Sequence, residues 1–177
     1  IMAGGKGTRL DPFTKILPKP LIPIGDKAII EIIIEKFVEY GINNFYLTLN
    51  HKSKIIKSYF EELAPAFNVE FVLEEKPYGT TGSIILLKNR FTEPVIITNC
   101  DIIIDCDYAD FVSYHKKNNF DLTLAASLKN YKIPYGICEI ENGGSLIKIN
   151  EKPEYNYLVN TGMYVLNPDM INLIPQD

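Results

Sequence analysis

Three glycines and two basic residues lie close together near the start of the chain, in the run Gly4-Gly5-Lys6-Gly7-Thr8-Arg9. Glycine lets the backbone approach a ligand and turn its N–H groups inward, and the lysine and arginine add positive charge, so the run fits a phosphate. It is not a P-loop, because Gly-Lys-Ser/Thr is missing, and Leu10 replaces the third glycine of a dinucleotide fingerprint. Taken alone, it is equally well explained as a tight turn with two solvated basic side chains.

A second element, Pro18-Lys19-Pro20, follows in the same Gly- and Pro-rich stretch. Proline on each side stiffens the backbone that carries Lys19, as expected for a cation held against a ligand. A merely solvated lysine needs no such support. The two elements together therefore favour a phosphate site over a plain turn.

Both elements resemble the opening signature of the sugar-1-phosphate nucleotidyltransferases, or NDP-sugar pyrophosphorylases. The resemblance rests on Gly4-Gly5-x-Gly7-Thr8-Arg9-Leu10-x-Pro12, then Pro18-Lys19-Pro20 and Pro23, and it extends from Ile1 to about Leu166. It implies that the loop grips a nucleoside triphosphate (NTP), that Arg9 lies on its phosphates and that Lys19 stabilises the transferring centre. The implied nucleotide contacts in this loop are Ala3, Gly4, Gly5, Gly7 and Thr8.

The segment 74–83 follows a predicted strand, at the place where open α/β sheets bind ligands. Alone, it could be a strand-to-helix turn with Thr80 as N-cap. Its Pro-x-Gly-Thr-x-Gly element resembles the family segment that contacts the base, which implies that Gly79 and Thr80 contact the nucleotide and Glu74 faces the edge of the base. A carboxylate can accept hydrogen bonds from N1–H and the amino group of guanine, which favours GTP and a member similar to mannose-1-phosphate guanylyltransferase.

Asp101 follows the apolar strand predicted over 95–98. A carboxylate there suits Mg²⁺ bound to substrate phosphates, and a polar strand end is the alternative. Asp101 matches the family's metal-binding aspartate, although Cys100 stands where glycine is more usual. The family also supplies a second metal-binding aspartate beyond the Asn-Thr-Gly element, and no candidate for it precedes the last residue, Asp177.

Asp105-Cys106-Asp107 is an Asp-x-Asp sequence, which binds a metal in nucleotide-sugar glycosyltransferases. Capping is favoured here, because Asp107 directly precedes a helix predicted from Tyr108. A metal-dependent glycosyltransferase that uses Asp105 and Asp107 stays open as an alternative function. A non-catalytic nucleotide-binding domain is the third.

Glu151-Lys152-Pro153 and Asn160-Thr161-Gly162 lie near the end of the chain. A lone Glu-Lys-Pro is normally the exit of a surface strand. Together the two elements resemble the family's sugar-phosphate site, which implies that Lys152 contacts the phosphate and that Gly136, Glu151 and Thr161 lie near the sugar. The implied substrates are an NTP and a sugar 1-phosphate, with Mg²⁺ as cofactor.

Alternating elements must position these residues. Hydrophobic periodicity predicts helices over 28–40, 53–63, 81–87 and 108–116, and strands over 44–49, 69–73, 95–98, 122–127, 135–141, 146–149 and 158–166. Strands separated by helices imply right-handed crossovers and a largely parallel sheet. The turns in the last third of the chain predict hairpins, and hence a sheet edge with both parallel and antiparallel strands. We expect one α/β domain over 1–177, a Rossmann-like, doubly wound, mainly parallel or mixed sheet with helices on both faces, of the nucleotide-diphospho-sugar transferase type.

Composition limits the remaining classes. The 177 residues are 46% hydrophobic and 23% charged, as in a folded globular domain, and no apolar run approaches the ~18 residues of a membrane span. A net charge of −4 argues against nucleic acid and anionic membranes as partners, and three cysteines without Cys-x-x-Cys spacing favour the reducing cytoplasm.

The run Ile1-Met2-Ala3 is typical of the end of a buried strand, so we expect the chain to be truncated at both ends. Whether the protein forms a homo-oligomer is left open.

Overall fold

The computed structural model describes residues 1–76, 78–79 and 82–175, with Arg9 described by its backbone alone. Three α-helices are described: α1 (Ile29–Val38), α2 (Ser53–Leu63) and α3 (Tyr108–Lys117). The described strands are β1 (Pro23–Ile24), β2 (Lys27–Ala28), β3 (Asn44–Leu49), β4 (Asn68–Leu73), β5 (Val95–Thr98), β6 (Leu122–Lys132), β7 (Ile137–Ile140), β8 (Leu146–Asn150) and β9 (Glu154–Leu166). The chain is therefore of the mixed α/β class.

The first three residues lie between β3 and β5. Met2 N donates to Thr98 O at 2.9 Å, and Ala3 N donates to Thr48 O at 2.9 Å, in parallel bridges to both strands. β4 pairs with β3 in parallel, whereas β9 pairs with β5 in antiparallel orientation and lies between β5 and β6. The expected strand character of Ile1-Met2-Ala3 is confirmed, and the sheet is mixed.

The centre of the sheet is buried on both faces. Leu47, Thr48 and Leu49 are consecutive residues of β3, so their side chains alternate between the two faces, and none is more than 2% exposed. α1 buries a helical stripe formed by Ile30, Ile33, Ile34 and Phe37, spaced as i, i+3, i+4 and i+7. Helix packing thus supports the strands whose ends carry the predicted site residues.

Several elements have bounds that differ from the predicted ones. α1 is shorter than the predicted 28–40, and 82–87 form a 3-10 helix, with Thr81 outside the described residues. β6 and β9 are longer than predicted, because pairs of side chains stabilise their outer parts: Asn130 Nδ2 donates to Asn156 Oδ1 at 2.9 Å, and Lys132 Nζ donates to Glu154 Oε1 at 2.8 Å. Pairing between the strands thus extends both of them beyond the hydrophobic runs that predicted their bounds.

The chain divides into two compact units, one formed by Ile1–Leu124 with Gly162–Asp177 and the other by Ala125–Thr161. The second unit contains the antiparallel hairpin of β7 and β8, whose turn includes Gly143 and Gly144 at φ 103° and 89°. These values require glycine, and they confirm the turn predicted there. One domain over 1–177 stays a prediction.

No helix of the described residues is both long enough and apolar enough to cross a bilayer.

The Asp-x-Asp sequence ends in a helix cap. Asp107 Oδ1 accepts a hydrogen bond from Asp110 N at 2.9 Å at the start of α3, which confirms the capping interpretation. Asp105 is exposed to solvent and forms an ion pair with Lys36 at 3.3 Å. The two carboxylates thus have separate structural contacts.

Replacing Asp107 with alanine leaves an orphan N–H at the first turn of α3, so we expect Asp107→Ala to lower the free energy of unfolding by about 1 kcal/mol. Urea denaturation measures the change. Asp105→Ala is the matched control, since its exposed ion pair contributes little. Equal unfolding free energies for the two variants would contradict the capping role.

Candidate active site

Three of the predicted site segments follow strands or strand-like residues of one sheet. The glycine-rich loop follows Ala3, Glu74 follows β4, and Asp101 lies shortly after β5. Because these strands run in parallel, their carboxyl ends share an edge, which is where ligands bind in open α/β sheets. The backbone confirms the placement of Glu74, whose N–H donates to Leu49 O at 2.8 Å.

The glycine-rich loop folds back on itself at Gly7. This residue has φ 69°, and a Cβ placed there would lie 2.8 Å from Thr14 Cγ2 and 3.1 Å from Lys19 Cβ. Only glycine therefore allows the turn, Thr14 and Lys19 to pack together. Leu10 N donates to Gly7 O at 2.9 Å and closes the turn.

Lys19 and Asp101 are in contact. Their ammonium and carboxylate groups form an ion pair, and the two side chains are 26% and 29% exposed. Pro18 and Pro20, which flank Lys19, are both buried, so the backbone that carries the lysine is anchored in the interior. The structure thus brings together two of the three predicted catalytic residues, at a position that solvent can reach.

Glu74 lies directly against the start of the loop. A Cβ on Gly4 would lie 2.5 Å from Glu74 Oε1 and 2.8 Å from its Cδ, so the carboxylate packs on the Gly4 backbone. Ser83 Oγ donates to Thr48 Oγ1 at 3.0 Å, and these two buried hydroxyl groups lie near the Glu74 carboxylate, where they favour its charged form. Burial raises the pKa of Glu74 above its usual value, and the two hydroxyl contacts partly oppose that effect.

The environment of Asp101 limits which metal sites are feasible. No group of three or more His, Cys, Asp and Glu side chains that could hold a metal occurs within the described ranges. The neighbouring Cys100 is buried, which raises the pKa of its thiol to about 12 and keeps it uncharged. A single hard carboxylate fits Mg²⁺ that takes its other ligands from substrate phosphates and water, and it does not fit a cation enclosed by protein groups alone.

The other residues predicted to contact the nucleotide have fewer contacts with the rest of the protein. Ala3 is buried, whereas Gly5 and Thr8 are exposed. Gly79 has φ 76°, which favours glycine there, and it is exposed. Thr80 and the side chain of Arg9 lie outside the described part of the chain.

The predicted sugar-phosphate residues belong to the second unit. A Cβ on Gly136 would lie 2.9 Å from Glu151 Oε2, and Lys152 Nζ lies 3.9 Å from Glu151 Oε1. Lys152 N also donates to Tyr135 O at 3.3 Å, so Gly136, Glu151 and Lys152 lie together. Thr161 has a different contact: its hydroxyl donates to Ala125 O at 2.7 Å.

Sequence reasoning missed the polar groups behind the loop. Thr14 is 3% exposed, and its hydroxyl lies 2.7 Å from Asp11 Oδ1 and 3.1 Å from Gly7 O. Thr48 and Ser83, the partners of Glu74, are likewise almost completely buried. A threonine within the apolar strand β3 was the one visible signal, since buried hydroxyls need partners.

Comparisons with known proteins point to one family. A family model described as nucleotidyl transferase matches residues 1–177. Mannose-1-phosphate guanyltransferase of Yarrowia lipolytica is 34% identical over 184 residues, which cover 98% of this chain and 50% of that protein, so the chain spans about half the length of this relative.

Among solved structures, HddC from Yersinia pseudotuberculosis has a TM-score of 0.75 and 27% identity, covering 98% of this chain and 78% of that one. A second HddC structure, complexed with GMP-PN, has a TM-score of 0.74 and 25% identity, covering the same shares. The resemblance to sugar-1-phosphate nucleotidyltransferases is thereby confirmed.

The contact between Gly4 and Glu74 predicts an asymmetry between adjacent glycines. A methyl group at Gly4 must displace the Glu74 carboxylate, and losing its polar contact with the buried hydroxyl groups costs about 1–2 kcal/mol. We therefore expect Gly4→Ala to lower the free energy of unfolding by about 1–2 kcal/mol, as measured by urea denaturation.

Gly5→Ala is the matched control, because a Cβ at Gly5 meets no atom within 4 Å. Combining Gly4→Ala with Glu74→Ala removes the clash, so the double variant should lose less stability than the sum of the two single variants. Additive losses, or equal effects at Gly4 and Gly5, would show that Glu74 does not pack on Gly4.

Proposed function

Since the chain belongs to the nucleotidyl transferase family, we propose that the whole protein transfers a nucleotidyl group from an NTP, preferably GTP, to a sugar 1-phosphate and releases pyrophosphate. The observation that carries the proposal is the contact of Lys19 with Asp101, beside the turn at Gly7. A cation and a carboxylate held next to a glycine-rich loop suit a reaction in which negative charge must be positioned and neutralised.

In the proposed reaction, an oxygen of the sugar phosphate attacks the α-phosphorus in line, and the bond to the leaving pyrophosphate breaks. Lys19 neutralises charge at the α-phosphate, Arg9 holds the pyrophosphate, and Lys152 orients the attacking phosphate. Asp101 would hold Mg²⁺, which when bound supplies further charge neutralisation to the phosphates. Every role of the protein is electrostatic or positional, since phosphoryl chemistry needs no covalent help from side chains.

Glu74 supports the choice of GTP. Its carboxylate lies against Gly4 and near the buried hydroxyl groups of Thr48 and Ser83, and these contacts hold an acceptor beside the loop. Guanine offers two neighbouring donors, N1–H and the amino group, to such an acceptor. HddC, a structural neighbour, is complexed with GMP-PN, and the Yarrowia lipolytica relative is named for mannose 1-phosphate, which is therefore the first sugar phosphate to test.

The remaining contacts complete the proposal. The loop and base contacts of the nucleotide come from Ala3, Gly4, Gly5, Gly7, Thr8, Gly79 and Thr80, and the contacts of the sugar come from Gly136, Glu151 and Thr161.

We propose a Rossmann-like, doubly wound arrangement for the fold. A cytoplasmic location is supported by the free thiols of all three cysteines, two of them exposed.

The glycosyltransferase alternative is disfavoured by the Asp-x-Asp contacts. Asp107 is used as the cap of α3, and Asp105 pairs with Lys36. A glycosyltransferase would transfer sugar from an NDP-sugar without any NTP, which separates it from the proposed reaction. A non-catalytic domain would bind nucleotide and release no pyrophosphate.

A pyrophosphate-release screen of four NTPs against a panel of sugar 1-phosphates with Mg²⁺ tests the proposal directly. We expect release with GTP and a mannose-type phosphate, and a loss of about 10²- to 10³-fold in kcat for Lys19→Ala, because an aligned charge contact in the transition state is removed. Lys15→Ala, at an exposed lysine of the same loop, is the control. Absence of release from every pair in the full chain would refute the reaction.

Base preference should depend on the charge of Glu74. Glu74→Gln keeps the shape but replaces one acceptor oxygen with a donor, so we expect kcat/KM for GTP to fall about 10- to 100-fold and that for other NTPs to change less. Glu75→Gln, at the exposed neighbour, should leave the preference unchanged.

The same residue predicts a pH dependence. Because the pKa of Glu74 is raised, its carboxylate becomes protonated at a higher pH than an ordinary glutamate, and GTP affinity should weaken as the pH falls. Calorimetric titrations of GTP between pH 5 and 8 should show this weakening in the wild type and a flatter profile in Glu74→Gln. Identical profiles would exclude Glu74 as the acceptor.

A further inference from the structure

Lys52 breaks two local rules at the start of α2. Its backbone is left-handed, with φ 56° and ψ 30°, a conformation that costs a non-glycine residue about 1–2 kcal/mol. It is also the N-cap residue of α2, where no side chain caps the helix, and a cation at that end opposes the helix dipole. Glycine or asparagine would suit the position better, so some other contact must compensate for lysine.

The compensating contact is with the glycine-rich loop. Lys52 Nζ donates to Thr14 O at 2.8 Å, across 38 positions of sequence. Thr14 is 3% exposed, so this carbonyl group needs a partner inside the protein. A charged donor on a buried carbonyl is among the stronger single hydrogen bonds.

Thr14 in turn contacts Gly7, where the loop turns. Its hydroxyl lies 3.1 Å from Gly7 O, and its methyl carbon lies 2.8 Å from where a Cβ of Gly7 would be. A Cβ placed on Gly7 would also lie 3.1 Å from Lys19 Cβ, so the Gly7 backbone packs closely on Lys19. Lys19 in turn contacts Asp101. A continuous series of contacts therefore links Lys52 to the proposed reacting centre.

We propose that Lys52 is a positioning residue for nucleotide binding: its ammonium group fixes Thr14, and through Thr14 the turn at Gly7 and the backbone of Lys19. Lys52 does this from behind the loop and does not touch the substrate. The catalytic consequence rests on the proposed function, whereas the structural link from Lys52 to the loop does not depend on it.

Three substitutions in the full chain test the proposal. Lys52→Met removes the charge and keeps the length, Lys52→Arg keeps a charged donor, and Lys52→Gly removes the donor while relieving the left-handed backbone. Lys54→Met, at an exposed lysine of the first turn of α2, is the matched control.

We expect Lys52→Met and Lys52→Gly to raise the KM for GTP about 10- to 100-fold, with the KM for the sugar phosphate within about twofold of wild type. Lys52→Arg should restore most of the affinity. Lys52→Gly should melt higher than Lys52→Met, since both lose the donor and only the glycine relieves the left-handed backbone. Simple loss of folded protein would instead lower kcat and leave both KM values unchanged.

Hydrogen exchange of the nucleotide-free chain measures the structural link without any reaction. In Lys52→Met and Lys52→Gly, the amides of Leu10 and Leu17, which hydrogen-bond within the loop, should exchange about tenfold faster or more, and in Lys54→Met they should not change.

The outcomes separate the two hypotheses. If the wild type releases no pyrophosphate, the proposed function fails, and hydrogen exchange alone decides the link between Lys52 and the loop. If the wild type is active but Lys52→Met matches Lys54→Met in GTP KM, the positioning role is overturned. Faster exchange without any rise in GTP KM also overturns it.

Discussion

The missing side chain at two glycines allows the loop and its neighbours to pack as they do. At Gly7 the backbone touches Thr14 and the stem of Lys19, and at Gly4 it touches the carboxylate of Glu74. A Cβ at either place would separate the loop from the groups that define the site. The positive φ of Gly7 adds a second reason for glycine at that turn. The loop is thus defined as much by close contact as by backbone conformation.

Charge in this site is arranged locally, against the sign of the whole chain. The sum over all residues is −4, yet the loop region holds Lys19 and Lys52 at the carboxyl edge of the sheet. Each cation has a defined partner: Lys19 faces Asp101, and Lys52 faces a buried carbonyl group. Side chains with partners lose less conformational freedom when an anionic ligand arrives, which is how a preorganised site reduces the cost of binding.

The bounds of helices and strands could be predicted from local sequence patterns, whereas contacts between side chains far apart in the sequence could not. The bounds of β3, α2 and β5 follow from alternating or helical hydrophobic spacing, and the structure has them as predicted. The family resemblance implied a separate role for Lys19 and for Asp101, but their contact was not predicted, because 82 positions separate them and no local signal connects them. Thr48 and Ser83 look like ordinary small polar residues until Glu74 is placed between them and Gly4. Lys52 had no predicted role, since only its tertiary contact with Thr14 distinguishes it from the exposed lysines.

A glycine packed against a carboxylate occurs in both compact units. In the first, Gly4 leaves room for the Glu74 carboxylate; in the second, Gly136 leaves room for Glu151, beside Lys152. In each case a glycine allows a carboxylate to lie on bare backbone, where its position is restricted by contact and not only by rotamer preference. A carboxylate placed in that way keeps its oxygens available as hydrogen-bond acceptors in a limited range of directions. In each unit, therefore, the missing side chain of one glycine decides how closely a carboxylate can approach the backbone.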